Sequence, residues 1–157
     1  MYIFLKDTHS ILRWFVLLAG LWALVRVWLG VLNKEEWTKK DRIAGLVFTT
    51  FLNVQLLIGI ALYFTSDITT AAMHNMKAIM KEPGIRFFAV DHPTAMILAV
   101  IIAQVGFSMS KRSTKGSRHQ FLVAALSYTI AAILIVVSIP WPFFEKYGRP
   151  LFPHFGG

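Results

Sequence analysis

Residues 11–32 read ILRWFVLLAGLWALVRVWLGVL, an apolar run in which the only charges are Arg13 and Arg26. A helix needs roughly 20 mostly apolar residues to cross about 30 Å of hydrocarbon, so this stretch predicts a bilayer-spanning helix. Three more runs of the same kind follow at 43–64, 87–109 and 121–139. With their polar edges they predict helices over about 8–32, 43–64, 86–109 and 120–139. The first and third loops are short, which sets sequential helices side by side and antiparallel. The expected fold is therefore all-α, an integral membrane protein built as one up-down-up-down bundle of four transmembrane helices over residues 1–157. Pro140 and Pro142 end the last helix, and Trp141 between them suits an interfacial belt.

Composition agrees. With 56% hydrophobic residues, 15% charged residues and a mean hydropathy of +0.59, the chain has too little polar surface to cover a soluble domain of this size. The net charge of +8 comes from basic residues in loops between apolar runs rather than on one face or tail, which sets nucleic acid aside as a partner. There is no cysteine, which excludes disulfides, thiolate metal sites, iron–sulfur clusters and covalent c-type haem attachment. Residues 1–6 lack a basic n-region, so the first apolar run is expected to stay in the membrane. The first loop carries Lys34, Lys39, Lys40 and Arg42, and the third Lys111, Arg112, Lys115 and Arg118. The positive-inside bias puts both in the cytoplasm, with the termini and the second loop outside.

Ionisable and amide side chains inside hydrocarbon are costly, so each is a functional candidate. They are His9, Arg13, Arg26, Asn53, Gln55, His92 and Gln104. Arg26 lies near the cytoplasmic end and is expected to snorkel to headgroups. His9 and His92 sit near the outer ends of helices one and three, at matched depth, and those helices are diagonal neighbours in the expected bundle. Two imidazoles facing across a bundle core describe axial ligation of a haem. Arg13, one turn deeper on the His9 face, is the natural bidentate partner of a haem propionate. The plainer reading is an interfacial histidine beside a snorkelling arginine; the pairing with His92 favours haem.

Pro93 either starts helix three, with Asp91 as its cap, or kinks a longer helix at His92. Asp91 could also orient a histidine. Asn53 and Gln55 fit helix glue, with hydrogen bonding to a cofactor or quinone as the second role. Gly20, Gly30, Gly45 and Gly106 read as packing sites. Met73, His74, Met76 and Met80 in the second loop offer soft copper ligands, although the methionines also share helical spacing as on an amphipathic surface helix. His119 has no counterpart on helix two, so one haem is expected and not two. His154, in the proline-rich tail, reads as solvated.

At Thr8-His9-Ser10-Ile11-Leu12-Arg13-Trp14, Asn53-Val54-Gln55-Leu56-Leu57-Ile58-Gly59 and Asp91-His92-Pro93, nearly the whole chain resembles a family of small four-helix membrane proteins of Bacteroidetes-type bacteria called cytochrome b. It is also similar to one four-helix half of haem A synthase, where histidines matching His9 and His92 hold haem b. The arginine here follows His9 by four residues rather than directly, and there is no second half, so the resemblance implies haem binding without synthase activity. It implies a bacterial inner membrane location and haem b with His9 and His92 on the metal; joined to the residue reading, it gives one haem b per chain with His9, Arg13, Gln55 and His92 as the expected cofactor-binding residues. The leading expectation is an electron carrier between a quinone pool and a periplasmic redox partner. A haem-dependent quinol or superoxide oxidoreductase and a haem-free assembly or scaffold subunit are the alternatives. Whether the chain forms a homo-oligomer is open.

Overall fold

The structure is a computed structural model that describes residues 1–152, apart from the side chains of residues 78 and 79; His154 lies outside the described residues. Helix α1 spans Tyr2–Leu32, starting earlier than its main apolar run because Ile3, Phe4 and Leu5 extend the apolar sequence toward the N-terminus. It ends in a Schellman motif, with Lys34 in the left-handed region at φ 56° and the Glu35 N–H bonded back to the Gly30 carbonyl. Helix α2 spans Lys39–Thr65 and begins at a capping box: the Thr38 N–H and hydroxyl donate to Asp41 Oδ2 at 2.8 and 2.7 Å.

The other Asp41 oxygen receives Arg26 from α1, with Nε at 3.0 Å. Asp41 is fully buried, while the Arg26 side chain is only 28% exposed. Arg26 thus has an acidic partner at this end of the bundle, one that the expectation of snorkelling to headgroups did not include. A carboxylate taken out of water at a helix start needs a counter-charge, and Arg26 is the one within reach. Glu35, 3.6 Å from the same guanidinium, completes the cluster.

Between the second and third spans lie two short helices, α3 (Asp67–His74) and α4 (Met76–Ile79), and a third, α5 (Pro83–Arg86), opens the third span. The single amphipathic helix suggested by the methionine spacing does not form. The helical run breaks at Asn75, which has φ −147° and ψ 63°, and leaves Met73, Met76 and Met80 exposed on separate pieces.

The third span is continuous from Pro83 to Arg112: α5 passes into a π-helical turn at Phe87–Asp91 and on into α6 (His92–Arg112). Of the two expectations at Pro93, the longer helix is the one observed. Proline offers no N–H to the carbonyl four residues back and crowds it. The π turn relieves the crowding by bonding the His92 N–H to the Phe87 carbonyl instead. The Ala89 carbonyl that Pro93 leaves free takes the Tyr63 hydroxyl of α2 at 3.0 Å. Asp91 has helical dihedrals and pairs with Arg86 at 3.2 Å, so it neither caps this helix nor orients a histidine. Helix α7 (Ser117–Val137) follows Gly116, whose φ of 95° explains glycine there.

Helix α1 packs against α2 and α7, and α6 packs against the same two, so α1 and α6 face each other diagonally. Neighbours run antiparallel: Gln55 meets His9 where Asp41 meets Arg26, and Phe121 meets Gly30. The core alternates small and aromatic residues. A Cβ at Gly30 would lie within 2.2 Å of the Phe121 ring, and one at Gly45 would lie within 2.3 Å of the Tyr128 hydroxyl. Both glycines are packing sites, as are Gly20 against Phe48 and Gly106 against Ser127. Outward, the bundle exposes Phe15, Leu18, Leu57, Ile101 and Ile133 among many large apolar side chains. Four helices are long and apolar enough to cross a membrane, and with this outward surface the chain is a multi-pass membrane protein in build.

Candidate functional site

At the end of the bundle where α1 begins and α7 ends, α1 and α6 bring His9 and His92 together. Their ring centres are 6.3 Å apart and the ring planes are inclined at 74°. Both side chains are half-buried, and no hydrogen bond joins the rings.

The two imidazoles are held differently. His92 Nδ1 lies 2.7 Å from the carbonyl oxygen of Ser138, just past α7. A carbonyl only accepts, so Nδ1 carries the proton and donates it, and Nε2 keeps a free lone pair. A bond of this kind, from the ring nitrogen remote from the metal to a carbonyl, is what orients histidines in metal sites. His9 Nδ1 is buried with no hydrogen-bond partner among the described residues. The His9 ring lies over Gly59 of α2, where an added Cβ would come within 3.3 Å of Cε1. Gly59 thus leaves the space that the imidazole uses.

Gln55 makes no hydrogen bond to either ring. Its Nε2 donates to the main-chain carbonyl of His9 at 2.9 Å, tying α1 to α2 at the level of the pair, while its buried Oε1 has no partner among the described residues. Arg13 lies one turn along and reaches the tail: its NH2 group donates to the Leu151 carbonyl at 2.7 Å and to Ser10 Oγ at 3.4 Å. Its buried Nε is unpartnered among the described residues. Trp14 donates to the same carbonyl at 3.3 Å and stacks on Phe152. Earlier in the tail, Tyr147 stacks 4.0 Å from Phe87, whose ring centre is 5.9 Å from that of His92.

A nitrogen–metal bond is about 2.0 Å and each nitrogen lies a little over 1 Å from its ring centre, so two imidazoles on opposite sides of one metal sit roughly 6 Å apart centre to centre. The observed 6.3 Å meets that requirement. Among the described residues no group of three or more His, Cys, Asp or Glu gathers, so the pair by itself offers two nitrogen donors. Such a set suits a metal whose other positions are filled by a macrocycle, as in haem. Unpartnered Arg13 Nε and His9 Nδ1 beside the pair agree with a further polar group at this place.

The remaining sequence candidates lie elsewhere. His119 Nδ1 bonds the Ser113 hydroxyl at 2.8 Å in the loop before α7, far along the bundle from the pair. His74 ends α3, and Asn53 and Gln104 line a separate cleft. The carbonyls of Ser138 and Leu151 and the ring of Phe87 were not among the candidates. Main-chain oxygens leave no mark in a sequence, and Phe87 is one of 13 phenylalanines. Fold and site together define a four-helix membrane bundle with an imidazole pair across its core. No family model matches the chain, and neither a curated protein nor a solved structure does.

Proposed function

We propose that this chain is a membrane b-type cytochrome of the bacterial inner membrane, holding one haem b between His9 and His92 near the periplasmic side. The observation that carries the reading is the 6.3 Å separation of two imidazoles contributed by diagonal helices. Haem, when bound, supplies reversible one-electron transfer.

The residues around the pair have separable tasks. His92, with its Nδ1 proton held by the Ser138 carbonyl, presents Nε2 as a ligand of fixed tautomer. His9 is set in place from behind, by Gln55 on its main chain and by the gap at Gly59. Arg13 supplies a guanidinium for a propionate, and its bond to Leu151 draws the tail over the site to limit water. A drier site strengthens every charge interaction within it. The basic residues of the first and third loops favour a cytoplasmic location for those loops, which puts the pair on the outer side.

The test is a reduced-minus-oxidised spectrum and a pyridine haemochrome assay on the purified full chain. One low-spin haem b per chain is expected, lost or turned high-spin in His9→Ala and in His92→Ala. A wild-type protein that carries no haem, or variants that keep the low-spin signal, overturn the reading.

A further inference from the structure

The seam between α2 and α6 opens into a cleft of about 390 Å³, with Leu46 and Thr50 exposed at its edge. Asn53 and Thr50 line the α2 wall, and Gln104, Ser108 and Lys111 line the α6 wall. Among the described residues, no hydrogen bond satisfies the side chains of Thr50, Asn53, Gln104 or Ser108. Polar groups at membrane depth are costly when unpaired. Amides that serve as helix glue bond across the seam, as Gln55 does to α1. Asn53 and Gln104 stand on facing walls without doing so.

The lining selects a class of occupant. Amide and hydroxyl groups both donate and accept, while the Lys111 ammonium only donates and no carboxylate is present, so a hydrogen-bond acceptor is the one partner that every polar group of the lining can satisfy. The volume suits the ring of a small ligand. Lys111 lies at the cytoplasmic end of α6, its ammonium 4.7 Å from the centre of the Phe107 ring. Gln104 is seven residues earlier, about 10 Å deeper at 1.5 Å per residue. A lipid phosphate stays at headgroup level beside its cation. An acceptor that uses donors two turns deeper is neutral, soluble in hydrocarbon, and enters sideways from the bilayer.

We propose that this cleft binds the head group of a lipid-soluble quinone, a flat ring whose two carbonyl oxygens accept from Asn53 and Gln104 on opposite walls. The choice of a redox-active ring rests on the haem reading above; the demand for a neutral, membrane-soluble acceptor does not. Asn53 is six residues from Gly59, about 9 Å along α2, so the cleft forms a layer next to the imidazole pair and distinct from it.

The test is calorimetric titration of the full chain, in phosphatidylcholine nanodiscs, with a decyl-substituted benzoquinone. One saturable site is expected, weakened at least tenfold by Asn53→Leu and by Gln104→Leu, and unchanged in His9→Ala. Leucine suits both positions in a membrane, and circular dichroism with gel filtration verifies that the variants fold. The proposal is overturned if the wild type shows no saturable binding, or if both leucine variants bind as tightly as the wild type. It is also overturned if phosphatidylglycerol displaces the quinone, which marks an anion site, or if His9→Ala abolishes binding, which moves the ring to the imidazole pair. Failure of the haem reading is seen separately, in the absorption spectrum.

Discussion

Gly59 offers the sharpest probe of the imidazole pair, because it acts on His9 without touching a ligand atom. A Cβ built at this position meets His9 Cε1 at 3.3 Å and Nδ1 at 3.9 Å. Alanine therefore needs a shift of only a few tenths of an ångström, and its better helix propensity contributes about 1 kcal/mol in compensation. Valine is different. Its two methyls reach about 1.5 Å beyond a stiff Cβ, into the space of the ring. Overpacking of this kind costs about 1–3 kcal/mol. If that cost falls on the geometry of His9, haem affinity drops roughly 5- to 150-fold, at about 1.4 kcal/mol per tenfold. The assay is haem occupancy of the purified Gly59→Ala and Gly59→Val variants across a range of added haemin, with electron paramagnetic resonance for spin state. Alanine should retain a low-spin haem near wild-type affinity, and valine should lose affinity or turn high-spin while the bundle keeps its helical content. A valine variant with wild-type affinity and an unaltered low-spin signal would refute the placement of the His9 ring against Gly59 as a condition of ligation.

Three other outcomes are expected. Arg13→Ala should keep the bis-imidazole spectrum but lower the midpoint potential in a redox titration, since a nearby cation opposes the charge gained on oxidation; at about 10 Å and an effective dielectric of 20 that repulsion is roughly 1.7 kcal/mol. An unchanged potential would reduce Arg13 to an anchor for Leu151. Arg26→Ala leaves the buried Asp41 carboxylate without its main counter-charge, which should destabilise the protein by about 3 kcal/mol in thermal unfolding in detergent, with part recovered in the Arg26→Leu/Asp41→Leu double variant; equal losses in the single and double variants would contradict a charge-pairing role. Reporter fusions at Lys39 and Lys115 should show cytoplasmic activity, and periplasmic signals at both would invert the topology and move the pair to the inner face.

Much of the architecture was legible from the chain alone. Run length determines four spans, because a helix must hold about 20 apolar residues to cross hydrocarbon and nothing shorter satisfies its backbone there. The intramembrane histidines stood out because an imidazole is rare at such depth, and their distance along each run set their level. The glycines were readable as seams because only small residues let helices approach closely.

Rotation of each helix about its axis was not legible. In a membrane protein the lipid-facing and core-facing sides are both apolar, so periodicity does not say which side turns inward. That is why Asn53 and Gln55, two residues apart on one helix, could be read together as glue, although packing sends Gln55 to the His9 carbonyl and Asn53 into the α2–α6 cleft. Arg26 was read as snorkelling because its partner Asp41 lies 15 residues away across a loop, and only the antiparallel packing of α1 on α2 brings them together. The bonds from His92 to Ser138 and from Arg13 to Leu151 end on main-chain oxygens, which every residue possesses and no sequence pattern marks. The chain by itself determined what each helix carries and at what depth; the tertiary packing decided which of those groups meet, because contact depends on azimuth, and azimuth is set by how the four helices fill the space between them.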